Sequence, residues 1–150
     1  MGAERSDKGV RLARGVQNLL VSMGFETMTE VNLRIRRRVD VMGINDKGRI
    51  MIVEVKSGAA DYRSDMKWQE YLEFCDEYYF AVDRDFPLEM LPDDVGLIIA
   101  DDFDGEIIRF SPDYKLNAAR RRNVTLRFAR IAARRLASLE SPKKEKFDVR

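Results

Sequence analysis

The chain of 150 residues contains no histidine and a single cysteine, Cys75. These absences exclude a Ser-His-Asp triad, and they leave too few nitrogen and sulfur ligands for a structural zinc site. Because no intramolecular disulfide can form, we expect a reducing, cytoplasmic environment. Any bound metal would need oxygen ligands, and such ligands favour Mg²⁺ or Mn²⁺.

Long apolar runs and glycine-rich loops are also missing. No apolar stretch approaches the ~20 residues of a membrane-spanning helix, so no membrane partner is expected. The first residues lack the basic-then-apolar order of a signal peptide. No glycine-rich phosphate loop supports ATP or GTP hydrolysis. With 45% hydrophobic and 35% charged residues, the composition predicts one globular domain over residues 1–140, followed by a disordered tail at 141–150.

Charge is distributed unevenly along the chain, although the net charge is only +1. Residues 1–113 contain 15 Lys or Arg against 23 Asp or Glu, whereas residues 114–139 contain eight basic residues and no acidic one. A basic segment on an acidic body indicates a polyanion or an acidic partner surface as its ligand.

Hydrophobic periodicity predicts an α/β fold in which helices flank a central mixed β-sheet. Helices are predicted over residues 8–23, 61–75 and 115–139, and the last one could be interrupted near residues 123–125. Strands are predicted at residues 25–35, around Asp40 up to residue 44, and at 50–55, 78–82, 96–100 and 106–110. The first three strands would be antiparallel, and the fourth would run parallel to one of them after the 61–75 helix.

Charged residues lie inside two of the apolar strands. Asp40 belongs to the run at residues 39–44, and Glu54 and Lys56 belong to the strand at residues 50–55 and its end. Because burying an unpaired charge is costly, this placement predicts a function. Side chains two apart on a strand share a face, so Glu54 and Lys56 point the same way.

The three residues could form a metal site if their strands pair. The carboxylates of Asp40 and Glu54 would then repel each other unless a divalent cation lay between them, and the Val55 backbone carbonyl could be a third oxygen ligand. Lys56 could orient or deprotonate a water, or stabilise negative charge on a phosphate. The alternative is an exposed strand face with a solvated salt bridge.

Asp40, the turn after its strand and Glu54-Val55-Lys56 resemble the core of the PD-(D/E)XK nuclease superfamily. The whole sequence resembles the MmcB-type DNA repair nucleases of bacteria, including the segments Lys67-Trp68, Cys75-Asp76, Phe80-Ala81-Val82 and Gly96-Leu97-Ile98. The resemblance implies a restriction-endonuclease-like fold with an αβββαβ core and a C-terminal basic helix. It also implies a Mg²⁺- or Mn²⁺-dependent DNA endonuclease that acts in repair, with other repair proteins as further partners. Asp40 and Glu54 would be the metal ligands and Lys56 the catalytic lysine.

The first helix departs from this pattern. Many members of the superfamily carry a glutamate there, but no acid lies between residues 8 and 23 of this chain. Gln17 could reach inward as a neutral substitute. A site poor in carboxylates binds metal more weakly, so the alternative is a weak or inactive nuclease-fold module that binds DNA or acts as a scaffold in a repair complex.

The helix predicted over residues 61–75 offers supporting residues. Lys67 and Tyr71 are four apart and resemble, imperfectly, a Gln-x-x-x-Tyr element, so they could contact a DNA phosphate near the metal. Gln69 is a further supporting candidate, although it cannot share the face of Tyr71. Alternatively, Trp68 and Tyr71 belong to the core.

Arginines form the last candidate surface. Arg36 and Arg38 lie next to the proposed site, and the late helix contributes Arg120, Arg121, Arg122 and Arg127. Arginine-rich surfaces suit phosphate backbones, which predicts DNA contact through these residues and Lys67. The late helix could instead neutralise the protein's own acidic body or bind an acidic partner protein.

Overall fold

A six-stranded mixed sheet forms the centre of the computed structural model, which describes residues 6–65 and 67–142. The strands, in both sequence and spatial order, are β1 (Phe25–Asn32), β2 (Arg38–Asn45), β3 (Ile50–Val55), β4 (Glu77–Val82), β5 (Gly96–Ala100) and β6 (Gly105–Arg109). Strands β1 to β3 are antiparallel, β3 to β5 are parallel, and β6 is antiparallel to β5. This topology confirms the predicted α/β class, including the parallel fourth strand.

Helix α1 (Asp7–Ser22) covers one face of the sheet. Its buried side chains Leu12, Val16 and Leu20 pack against the sheet residues that point to that side, such as Val53. The helix ends at Ser22 with Met23 as its C-cap, and Gly24 follows with φ near +92°, a conformation that favours glycine. The predicted end of this helix is therefore confirmed.

The opposite face is covered by α2 (Ala59–Arg63), a 3₁₀ helix (Trp68–Phe74) and α3 (Ala118–Glu140). Aromatic rings dominate this layer: Trp68 stacks on Tyr78 at 5.6 Å and meets Phe80 edge-on at 5.2 Å between ring centroids. A second 3₁₀ helix (Leu88–Met90) lies between β4 and β5. Cys75 is fully buried in this layer, and its thiol donates to the Tyr71 carbonyl at 3.5 Å.

The continuous helix predicted over residues 61–75 is wrong. Helix α2 stops at Arg63, and the next helical segment is a 3₁₀ helix that begins only at Trp68. Between them the Asp65 carboxylate accepts from the Lys67 N–H at 3.2 Å and from Lys56 Nζ at 2.9 Å. An Asp side chain that bonds nearby backbone competes with helical hydrogen bonds, which explains the break.

Two other boundaries differ from the prediction. Strand β1 ends at Asn32, and residues 33–37 form a tight turn closed by the Leu33 N–H on the Arg37 carbonyl at 2.8 Å. Helix α3 runs without interruption, because Val124 packs into the core there and outweighs the modest helix propensity of a β-branched residue. The predicted tail lies almost wholly outside the described residues. No helix in residues 6–65 or 67–142 could cross a membrane.

Candidate active site and basic groove

Strands β2 and β3 separate at the predicted site. Their backbones pair from Ile44–Ile50 as far as Val41–Val53. Beyond that point hydrogen bonds from backbone N–H groups to side chains replace the backbone pairing. The Val55 N–H donates to Asp40 Oδ2 at 2.8 Å, and the Asp40 N–H donates to Glu54 Oε2 at 3.1 Å. Each carboxylate therefore satisfies a backbone donor of the other strand, and Asp40 and Glu54 lie together as predicted.

Glu54 is strongly perturbed by this environment. Its side chain is only 4% exposed, and burial together with the charge of Asp40 raises the pKa of Glu54 well above its usual value. The Asp40 N–H and the charge of Lys56 act in the opposite direction but do not offset burial. A cation beside the two carboxylates would favour their charged forms.

Lys56 is buried with a single acid as its direct partner. Its Nζ lies 2.9 Å from Asp65 Oδ2, and the residue is 5% exposed. Burial acts to lower the pKa of Lys56, but the hydrogen bond and charge of Asp65, helped by Glu54, leave that pKa raised. The side chain is therefore an ammonium group held in a fixed position.

Asp65 is a site residue whose role as the partner of Lys56 is not predicted by the sequence pattern. A buried lysine at the end of a strand requires a counter-charge, and that requirement was the available signal. Several acids follow Lys56, however, and spacing alone does not identify Asp65, because the helix predicted through it is absent.

The donor set fits a metal held by few protein ligands. Within the described ranges no group of three or more Asp, Glu, Cys or His side chains is arranged to hold a metal ion. Mg²⁺ is usually bound by one or two carboxylates together with waters and substrate phosphates. The paired oxygens of Asp40 and Glu54 therefore fit Mg²⁺ or Mn²⁺.

The predicted supporting residues are arranged differently from the prediction. Tyr71 is buried, its hydroxyl donates to the Arg38 carbonyl at 3.2 Å, and Arg37 lies 5.6 Å from its ring centroid. Lys67 and Gln69 are exposed, and Lys67 precedes the 3₁₀ helix. The α-helical spacing that was to place Lys67 and Tyr71 on one face does not apply.

Gln17 does not reach the site. It lies on α1, on the other side of the sheet, where its Nε2 donates to Thr27 Oγ1 at 3.0 Å. No described hydrogen bond joins Gln17 to Asp40, Glu54 or Lys56. The prediction that Gln17 replaces the missing acid of the first helix is therefore not supported by its position.

A basic groove lies between α3 and residues 32–35, and we call it the α3 groove. Its volume is about 740 Å³. Six arginines line it: Arg34, Arg120, Arg127, Arg130, Arg134 and Arg135. Its apolar lining consists of Leu33, Ile35, Phe74, Val124, Leu126 and Ile131.

Several predicted DNA-binding arginines have internal partners. Arg121 forms two hydrogen bonds, at 2.6 and 2.7 Å, with Asp76, which is 1% exposed. The Arg120 guanidinium covers the Phe74 ring at 4.4 Å, and Arg127 donates to the Asn32 carbonyl. The alternative reading, in which the helix neutralises the protein's own acid, therefore holds for Arg121.

Other arginines are more accessible. Arg36 is exposed in the 33–37 turn with φ near +62°, and Arg38 lies 3.7 Å from Glu30. Arg122 is exposed on α3, and its guanidinium forms no hydrogen bond or ion pair with any described residue. It does not line the α3 groove.

Comparisons with known proteins place the chain among DNA repair proteins. A family model described as DNA repair protein MmcB-like matches residues 1–143. A solved structure of a protein of unknown function from Silicibacter pomeroyi is 46% identical, with a TM-score of 0.88, over 97% of this chain and 100% of that one. A repair endonuclease from Pyrococcus abyssi is 16% identical, with a TM-score of 0.37, over 54% of this chain and 40% of that chain. No curated protein matches the sequence significantly.

Proposed function

Because the chain belongs to the MmcB-like family of DNA repair proteins, we propose that it is a divalent-metal-dependent nuclease that hydrolyses DNA phosphodiester bonds. One observation carries the proposal. Asp40 and Glu54 meet where β2 and β3 separate, and the buried Lys56 follows Glu54 by two residues. Keeping three charged groups together in a largely buried place costs stability, and a catalytic role would explain that cost.

Asp40 and Glu54 would hold the metal, with the Val55 carbonyl as a further oxygen ligand. When bound, Mg²⁺ or Mn²⁺ would supply positive charge at a phosphate oxygen and a water of lowered pKa. Each carboxylate accepts from a backbone N–H of the other strand, and the charge of Asp40 together with burial raises the pKa of Glu54. Metal binding would therefore relieve an unfavourable arrangement.

Lys56 would act as a positive charge rather than as a base. Its raised pKa keeps the Nζ protonated, so it cannot accept a proton from water at neutral pH. An ammonium group held 2.9 Å from Asp65 can stabilise the negative charge that develops on the phosphate as water attacks phosphorus. The attacking water releases a proton to solvent as its oxygen bonds phosphorus, the bond from phosphorus to the leaving oxygen breaks, and that oxygen takes up a proton from solvent.

A cleavage screen tests the proposal. Labelled single-stranded, duplex, gapped and branched DNA would be incubated with Mn²⁺ and wild-type protein, Glu54→Gln or Lys56→Met. We expect wild type to cleave at least one form, and each variant to lose cleavage by at least ~100-fold, since each removes a group that would act on the transition state. Glu106→Gln, an exposed change on β6, is the matched control and should cleave normally. Absence of cleavage of every form, or full activity of Glu54→Gln, would contradict the proposal.

A second candidate is a nuclease-fold module that binds DNA without cleaving it. It is favoured by the absence, among the described residues, of a third acid placed to hold a metal together with Asp40 and Glu54, and by the engagement of Lys56 with Asp65. This candidate predicts DNA affinity that is unchanged in Lys56→Met, and no binding of Mn²⁺ in calorimetry. Cleavage by wild type that is lost in Lys56→Met would exclude it.

A further inference from the structure

We infer that the α3 groove binds a segment of single-stranded DNA, so that the substrate carries unpaired nucleotides next to the bond that is cleaved. The inference deepens the proposed function and rests on it for the identity of the ligand as DNA. It is carried by the groove's size, by the composition of its lining and by the arginines that remain available there.

The size of the groove suits an unpaired strand. At about 740 Å³ it falls in the range of roughly 300–1,000 Å³ that encloses small-molecule ligands, which are comparable in bulk to one or two nucleotides. A duplex, whose major groove alone is about 12 Å wide, could lie only across the mouth of such a cavity.

The lining points in the same direction. In a duplex the faces of the bases are stacked on each other, and the protein meets mainly phosphates. Phosphates gain nothing from contact with apolar side chains. Unpaired bases expose their faces, and these bury well against aromatic, aliphatic and guanidinium planes. The apolar lining of the α3 groove includes Leu33, Leu126 and Ile131, and the Arg120 guanidinium carbon lies over the Phe74 ring, 4.4 Å from its centroid.

The arginines divide into two groups. Arg127 and Arg135 donate to backbone carbonyls of β1 and so attach α3 to the sheet. Arg34, Arg130 and Arg134 are exposed, and in the described part of the chain their guanidinium groups form no hydrogen bond or ion pair. Three available cations around an apolar floor match a strand whose bases face inward and whose phosphates face the rim.

The groove is close to the candidate active site. Ile35 lines the groove, and Asp40 follows it by five residues, so at ~3.6 Å per residue their backbones are less than about 18 Å apart. The intervening Arg37 bonds Glu70 at 3.1 Å and approaches Asp65 at 3.9 Å. A strand in the groove could therefore pass along the 33–37 turn and reach Asp40 and Glu54 within a few nucleotides.

Fluorescence anisotropy in EDTA tests the inference, because binding is then measured without metal or cleavage. The probes are a labelled 12-nucleotide strand of mixed sequence and the duplex formed with its complement. We expect wild type to bind the single strand more tightly than the duplex. Arg130→Glu and Arg134→Glu should each weaken single-strand binding by ~10-fold or more, whereas Arg14→Glu, an exposed change on α1, should weaken it less than ~3-fold.

A second pair of variants tests the apolar floor. Leu126 lines the groove and is 57% exposed, and Leu139 lies on the same helix outside the groove and is 84% exposed. Leu126→Ser should weaken single-strand binding by ~3- to 10-fold and leave duplex binding unchanged, because only base faces bury against it. Leu139→Ser should change neither. Both leucines are exposed enough for the fold to tolerate the change.

The outcomes separate this inference from the proposed function. Duplex binding at least as tight as single-strand binding, equal losses in Arg130→Glu and Arg14→Glu, or equal competition by polyglutamate of the same charge would overturn the inference, whether or not the protein cleaves DNA. Selective single-strand binding lost in the groove variants would support single-strand binding by the α3 groove even if no Mn²⁺-dependent cleavage is found. In that case the proposed catalysis fails, and with it the placement of the unpaired nucleotides next to a cleaved bond.

Discussion

Three charged or polar residues are buried in the described structure, and they differ in what their burial achieves. Asp76 receives two backbone N–H groups and the Arg121 guanidinium. Burial opposes ionisation of Asp76, but these donors outweigh it and lower its pKa. Glu54 has the opposite shift, because burial and Asp40 raise its pKa. The protein's own donors therefore stabilise the charged form of Asp76, whereas its surroundings disfavour the charged form of Glu54.

Removing either partner of the Asp76–Arg121 pair should destabilise the fold. Arg121→Ala leaves a buried carboxylate without its counter-ion, which typically costs about 3–5 kcal/mol. Arg122→Ala is the matched control, since the neighbouring arginine has no described partner, and it should change the free energy of unfolding by less than ~0.5 kcal/mol. Urea denaturation measures both values. Equal values for the two variants would contradict a structural role of Arg121.

The same pair predicts a pH dependence. Because the pKa of Asp76 is lowered in the folded state, its contribution to stability is present above the ordinary Asp pKa of about 3.9 and is lost as pH falls through the lower folded value. The stability difference between wild type and Asp76→Asn should therefore shrink below about pH 4. Urea titrations at several pH values measure this difference, and a constant difference would contradict it.

Glu54→Gln should separate stability from metal binding. Replacing a carboxylate that burial and Asp40 disfavour by a neutral amide should raise the melting temperature without metal at pH above the ordinary Glu pKa of about 4.3. A ligand at 100 times its Kd stabilises the folded state by about 2.7 kcal/mol, so Mn²⁺ should raise the wild-type melting temperature and leave that of Glu54→Gln unchanged. Thermal scans with Mn²⁺ or EDTA measure both, and an equal response of the two proteins would contradict the metal assignment.

Which site residues could be predicted depends on how far apart their partners lie. Asp40, Glu54 and Lys56 interrupt apolar strands, so the sequence alone identifies them as unusual. The pairing of β2 with β3 then brings them together. Asp65 and Arg121 act through pairs with Lys56 and Asp76 that depend on the tertiary fold. A single sequence contains many equivalent acids and arginines, and nothing local distinguishes these two.

At the scale of elements, the segment between β3 and β4 is the part that departs from expectation. For its aromatic residues the alternative prediction holds, since Trp68 and Tyr71 are buried in the core. The predicted helix is absent, because Asp65 bonds Lys56 and the Lys67 N–H and these bonds prevail over helical periodicity. Helix α3 shows the converse, since tertiary burial of Val124 carries the helix through a β-branched position.

This segment should hold Lys56 in its charged form. Because the folded pKa of Lys56 is raised, the ion pair stabilises the fold below the ordinary Lys pKa of about 10.4, and that contribution is lost as pH rises through the folded pKa. Asp65→Ala removes the hydrogen bond and the charge that raise the pKa of Lys56, while burial, which lowers it, remains. The pKa of Lys56 should therefore fall. An NMR titration of the Lys56 side chain measures it. Glu70→Ala, on the same segment but paired with Arg37, should leave it unchanged.

At the scale of the whole molecule, the sheet separates two layers. Helix α1 packs on one side, and the aromatic layer and the α3 groove lie on the other. Short apolar strands alternating with turns are enough to predict the positions of all six strands, the antiparallel first three and a parallel fourth. They do not predict the parallel pairing of β5 with β4 or the side of the sheet on which α1 packs, and the second gap explains why Gln17 is predicted at a site with which it forms no described hydrogen bond.

This separation makes Gln17 a test of the missing-acid hypothesis. Gln17→Ala removes one hydrogen bond to Thr27 and should lower the free energy of unfolding by about 0.5–1.5 kcal/mol. It should leave Mn²⁺-dependent cleavage unchanged, because the residue acts on the other layer. Urea denaturation and the cleavage screen measure the two effects. A loss of cleavage comparable to that of Glu54→Gln would show that Gln17 reaches the site during turnover.

The solitary Cys75 makes the protein convenient for labelling experiments. Its thiol is fully enclosed beneath the 3₁₀ helix, and burial raises its pKa, so it should react slowly with thiol reagents while the protein is folded. A cysteine introduced at an exposed groove position, such as Leu126, could therefore carry a fluorophore with the natural cysteine left in place. In the wild-type chain, the rate at which Cys75 reacts would report how often the aromatic layer opens, without any added probe.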